Sequence, residues 1–152
     1  MKDSIDIPNI KNSARKVLEE IHAGKRLSGD TLVALWTALG LDIYVDNSDL
    51  QCGPSRYICL HRKNDRIWQV WHTDPELILA FIEMVSKKLG LRVSVTERLR
   101  HQEQTASTLI FVSGMWFRSR VYRRDFSGEN MSQARFYSLL GAFAELLSKE
   151  TL

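Results

Sequence analysis

The chain has 152 residues, 44% hydrophobic and 26% charged, with a formal net charge of +3; that is the size and balance of one soluble globular domain able to bury its own core. No apolar run reaches the length of a membrane span, and the amino end lacks the basic-then-apolar pattern of a secretion signal. Membrane insertion and export are therefore not expected, and the expected compartment is the cytoplasm, where Cys52 and Cys59 stay as thiols.

The segment to about Pro8 is polar and expected to fray. Ser13 to Ala23 carries Ala14, Val17, Leu18 and Ile21 at helical spacing, with Gly24 as its stop. A second helix, capped by Ser28 or Asp30 and ended by Gly40, has Leu32, Val33, Leu35, Trp36 and Leu39 on its apolar face. Residues 1–40 thus read as a helical hairpin or amino-terminal arm, ahead of an α+β sandwich over 41–148, all within a single domain 1–152.

Leu41 to Val45 is a short strand running into the polar loop Asp46–Asp49 and then Cys52-Gly53-Pro54-Ser55. Arg56–Arg62 and Arg66–His72 flank Lys63-Asn64-Asp65, a hairpin pattern. A two-residue Asn64-Asp65 turn would set His61 opposite Trp68, Cys59 opposite Val70 and Tyr57 opposite His72. A helix opens at Thr73-Asp74-Pro75-Glu76, with Asp74 as N-cap, Pro75 in the first turn and Glu76 at the positive end of the dipole. Its broad apolar face includes Leu77, Ile78, Phe81, Ile82, Met84, Val85 and Leu89, and Gly90 closes it.

Leu91–Val95 returns as a strand, and the polar, charged stretch Arg98–Ser107 reads as a mobile loop. Ser113-Gly114 then joins Thr108–Val112 to Met115–Arg124 as a second hairpin, pairing Val112 with Met115 and Ile110 with Phe117. Asp125–Asn130 is a turn, and Ser132–Ser148 is an amphipathic helix bearing Phe136, Leu139, Leu140, Phe143, Leu146 and Leu147. The order α-α-β-β-β-α-β-β-β-α implies an α+β fold with one antiparallel sheet of about five to six strands packed with helices.

The strand Met115–Arg124 is the most informative stretch. Alternation places Met115, Phe117, Ser119 and Val121 on a core face, and Trp116, Arg118, Arg120, Tyr122 and Arg124 on the other. Phe111 and Leu109 join the second face, and Arg98, Arg100 and His101 extend it from the loop. Residues 1–75 carry ten basic and ten acidic side chains, whereas 92–124 carry seven arginines against Glu97 and Glu103. Guanidinium forks and aromatic rings together suit phosphates, carboxylates and stacked bases.

Other constellations point elsewhere less strongly. Cys52, Cys59 and His61, with His72 beyond, are the one metal-like group, but six residues between the cysteines break the two-to-four spacing of a structural zinc knuckle, so no metal or cofactor is expected. His61, His72 and His101 are candidate general bases near Asp65, Asp74 and Asp125, yet no serine sits in a nucleophile elbow and no glycines form a phosphate loop. Trp36, Trp68 and Trp71 read as core, and the acidic stretch Asp42–Asp49 lacks the ligand periodicity of a calcium loop.

Residues 28–89, α-β-β-β-α with Cys52-Gly53-Pro54-Ser55 before a strand, superficially resemble a double-stranded-RNA-binding domain. That family opens its second helix with a phosphate-gripping lysine cluster, whereas Thr73-Asp74-Pro75-Glu76 is acidic, so the resemblance stops where the family's function lies. Residues 67–148, with the Asp74-capped apolar helix, the strands around Leu91–Val95 and Met115–Arg124 and the final Leu- and Ala-rich helix, resemble the small phage α-β-α sandwich domains. That likeness implies a phage or prophage accessory protein acting by binding. The leading expectation is a non-enzymatic module that engages an acidic macromolecule, nucleic acid or protein, through the Trp116–Arg124 face. The alternatives are a small hydrolase-type enzyme with His61 or His72 as base, and a homo-oligomeric structural protein burying Trp116.

Overall fold

A computed structural model describes residues 7–24, 29–40, 43–46, 57–61, 67–71, 75–122 and 131–149. Helix α1 (Ile7–His22) begins well ahead of Ser13. Of the stretch expected to fray, residues 1–6 lie outside the described residues, and Ile7 and Pro8 are helical because Ile10 extends the stripe of Ala14, Val17 and Ile21 by another turn, with Pro8 in the first turn, where its missing N–H costs nothing. Helix α2 (Gly29–Ala38) packs on α1, with Leu32, Leu35, Trp36 and Leu39 fully buried. The Thr31 hydroxyl donates to Glu20 Oε2 at 2.6 Å, tying the two helices together.

Strands β1 (Ile43–Asp46), β2 (Tyr57–His61) and β3 (Ile67–Trp71) form an antiparallel meander. Its register pairs Leu60 with Trp68 and His61 with Ile67, one residue away from the two-residue-turn expectation. Asn64 and Asp65 themselves lie outside the described residues, as does Asp74, the expected cap of helix α3 (Pro75–Leu89). At the other end of α3, the Leu91 and Gly90 amides donate to the Ser86 and Lys87 carbonyls, a Schellman closure.

The strands do not make one sheet of five or six. Strands β4 (Val93–Arg100), β5 (Thr105–Val112) and β6 (Met115–Tyr122) form a second, separate three-stranded antiparallel meander. Its β5–β6 turn is the tight one expected: Ser113 and Gly114 both adopt positive φ (49° and 83°), and Val112 pairs with Met115. The stretch 98–107, expected as a mobile loop, is instead mostly strand. Arg98 pairs with Ser107 and Leu99 with Ala106, and only 101–104 turn, held by the Gln104 amide and side chain donating to the His101 carbonyl. Pairing with a central strand overrides the weak strand preference of arginine and glutamate.

Helix α4 (Met131–Ser148) is buried on nearly every side instead of exposing a polar face, with every residue from Phe136 to Ala144 buried. It lies on the inner face of β5 and β6, while α1 and α3 pack against it and Trp36 of α2 meets Phe81 of α3 at 4.2 Å between ring centroids. A helix apolar all round belongs in the middle of a fold. The Ser138 hydroxyl is satisfied there by a 2.8 Å hydrogen bond shared with Thr108 Oγ1 of β5.

Small residues permit this close approach. A Cβ added at Gly141 would press into the Ser119 side chain, 3.1 Å from its Cβ and nearer still to its hydroxyl. Gly141→Ala should therefore cost about 1–3 kcal/mol by overpacking, despite alanine's better helix propensity. Measured by denaturant unfolding, part of the loss should return when Ser119 is changed to Gly in the same chain.

Arg135 of α4 reaches out at the rim of the core. Its Nε and Nη2 donate to both oxygens of Glu97 on β4 (2.6 and 3.0 Å), and its Nη1 to Glu76 of α3 at 3.2 Å. The hydrogen bonds to Glu97 hold the guanidinium even more firmly charged than usual, against a smaller opposing effect of burial. Lysine cannot reproduce the fork, so Arg135→Lys should retain little of the clamp. Arg135→Leu should cost about 2 kcal/mol, read as a shifted denaturation midpoint.

Candidate functional site

The β4–β5–β6 sheet has one covered and one open face. Toward α4 point Ala106, Thr108, Ile110 and Val112 of β5 and Phe117 and Val121 of β6, all buried. Met115, placed by alternation with that set, sits at the turn and is 40% exposed. The open face is built of cross-strand rows fixed by the register. Ser94, Phe111 and Trp116 form one row, Thr96, Leu109 and Arg118 the next, then Arg98, Ser107 and Arg120, and finally Arg100, Thr105 and Tyr122.

Of the residues singled out in the sequence, Trp116, Arg118, Arg120, Tyr122, Arg98 and Arg100 thus share one face of one sheet. Arg124 lies outside the described residues. Arg98 and Arg100 stand on strand β4 and not on a loop, so their backbone is fixed by the β4–β5 ladder. The sequence pattern could have shown this: Val93, Val95 and Leu99 alternate with Ser94, Thr96, Arg98 and Arg100.

A concavity of about 690 Å³ runs along the face between the outer strands. Its floor is β5, through Thr105, Ser107 and Leu109; Arg98 and Arg100 rise on one side and Arg118 and Arg120 on the other. With strands about 4.8 Å apart, the two arginine rows spring from backbones about 10 Å from each other. One cross-strand row beyond the lining of the concavity, the Trp116 ring leans on Phe111 (centroids 4.4 Å apart, tilted by 49°) and remains 55% exposed. Tyr122 is half-buried at the opposite end.

Charge on this face is unbalanced. Among the described residues, Glu103 is the only carboxylate lining the concavity, and it pairs with Arg100 at 3.3 Å. Glu97 projects to the covered side, where Arg135 holds it. Among the described residues, Arg98, Arg118 and Arg120 have no acidic partner.

The other sequence candidates do not join this face. Cys52 and His72 lie outside the described residues, and Cys59 and His61 belong to β2 of the other sheet. Among the described residues, no three His, Cys, Asp or Glu side chains gather closely enough to hold a metal ion. No described helix is long and apolar enough to cross a membrane. Compared with protein-family models, curated proteins and solved structures, the chain matches none of them.

Proposed function

We propose that this protein is a non-enzymatic binding module, an accessory protein of the phage or prophage kind, that engages an acidic macromolecule through the open face of β4–β6. One observation carries the reading: Arg98, Arg118 and Arg120 stand together on an exposed, backbone-braced face, with no carboxylate among the described residues to neutralise them. Unpaired guanidinium groups add little to folding, and each gains charge-assisted hydrogen bonds when a phosphate or carboxylate arrives. A single surface arginine needs no partner beyond water, but three unneutralised arginines beside an exposed tryptophan favour one.

The test is a titration with heparin, a generic polyanion, at several salt concentrations. Affinity should fall by roughly tenfold or more between 50 and 200 mM salt, as counterion release requires. Absence of heparin binding, together with salt-insensitive self-association of the chain, would replace this reading with a homo-oligomer that buries Trp116 and Met115.

A further inference from the structure

Building on that reading, we infer that the acidic partner is a single-stranded nucleic acid lying lengthwise along β5. A nucleic-acid strand carries a phosphate and a flat π-surface in every repeat, whereas a run of Asp and Glu carries charge alone. The face offers both in line: arginines on both sides of the concavity and, one cross-strand row beyond its lining, the exposed Trp116 ring braced by Phe111. Bases of any sequence stack on such a ring. Between the arginines, Ser107 brings a hydroxyl and Leu109 an apolar contact, both half-buried side chains low on the floor of the channel.

Width and stacking decide between one strand and two. The arginine rows rise from strands about 10 Å apart, room for one extended strand between them. A duplex, whose bases are already stacked and paired with one another, would offer Trp116 no free π-face. Charge complementarity points the same way, since both walls present cations to a strand that can meet them on two sides.

The experiment is fluorescence anisotropy of a labelled 12-mer of oligothymidylate at low salt, alongside a 12-base-pair duplex and polyglutamate. The oligothymidylate should bind at least about tenfold more tightly than either, with a log–log salt slope of about −2 for the three unneutralised arginines. Trp116→Ala should weaken oligothymidylate binding by about fivefold or more while leaving polyglutamate binding unchanged, and Trp116→Phe should restore most of the loss. Far-UV circular dichroism and the thermal midpoint verify that both variants fold. Polyglutamate or duplex binding as tight as oligothymidylate, with Trp116→Ala indifferent, would overturn the single-strand inference and leave the acidic-partner reading standing. Failure of all three ligands to bind would overturn both.

Discussion

Phe81→Ala is expected to lower the unfolding free energy by about 3–5 kcal/mol, the largest stability loss foreseen for any change away from α4. Phe81 is 3% exposed and its ring lies 4.2 Å from that of Trp36, so it joins α3 to α2 in the core. Removing it takes away its transfer free energy and leaves a cavity under a large indole that smaller neighbours cannot fill. Phe81 takes no part in the open sheet face, so polyanion binding by the folded variant should be unaltered. Urea unfolding is the measurement; an unchanged midpoint at constant m-value would mean that α2 does not pack on α3 as described.

Charge reversal of both β6 arginines, Arg118→Glu with Arg120→Glu, should abolish polyanion binding and leave the fold intact. The two side chains are exposed and, among the described residues, without acidic partners, so folding loses little. Binding loses two charge-assisted contacts and gains repulsion against the same partner. The matched control is Arg15→Glu with Lys16→Glu on the exposed side of α1, an equal change in net charge on a helix that packs against α4 and not on the open face. If binding depends on that face, the control should bind nearly as well as the parent chain. Equal losses from both pairs would show that net charge alone governs the interaction.

Much of this site was legible because local chemistry and tertiary packing agree there. Ser113-Gly114 is a turn suited to two positive φ values, and once it is placed, alternation puts Phe111 beside Trp116 and Leu109 beside Arg118. Helix α3 was equally plain, with Pro75 at its start and Gly90 at its end. Strand β4 was harder to see beyond Val95, because Glu97, Arg98 and Arg100 favour strand only when a neighbour pairs with them. The short β2–β3 register differs by one residue from the two-residue-turn expectation, and a shift of one residue is enough to change every cross-strand partner.

Helix α4 misled in a different way. Phe136, Leu139, Leu140 and Phe143 mark one apolar stripe, but burial of the opposite side depends on Ala142, Ala144 and Gly141, whose small side chains carry almost no hydrophobic signal. What they provide is proximity, letting β6 and α1 both close on the helix at Gly141. The division of six strands into two sheets depends on which edges meet in space, and no local pattern in the chain encodes that.

The most direct measurement of where an acidic partner sits is an amide and indole NMR titration of the isotopically labelled protein with heparin. The largest shifts should fall on Arg98, Ser107, Arg118 and Arg120 and on the Trp116 indole N–H, fading at 0.5 M salt. Shifts centred on α1, or on β1–β3, with the Trp116 indole unmoved, would contradict an interface on the open face of β4–β6.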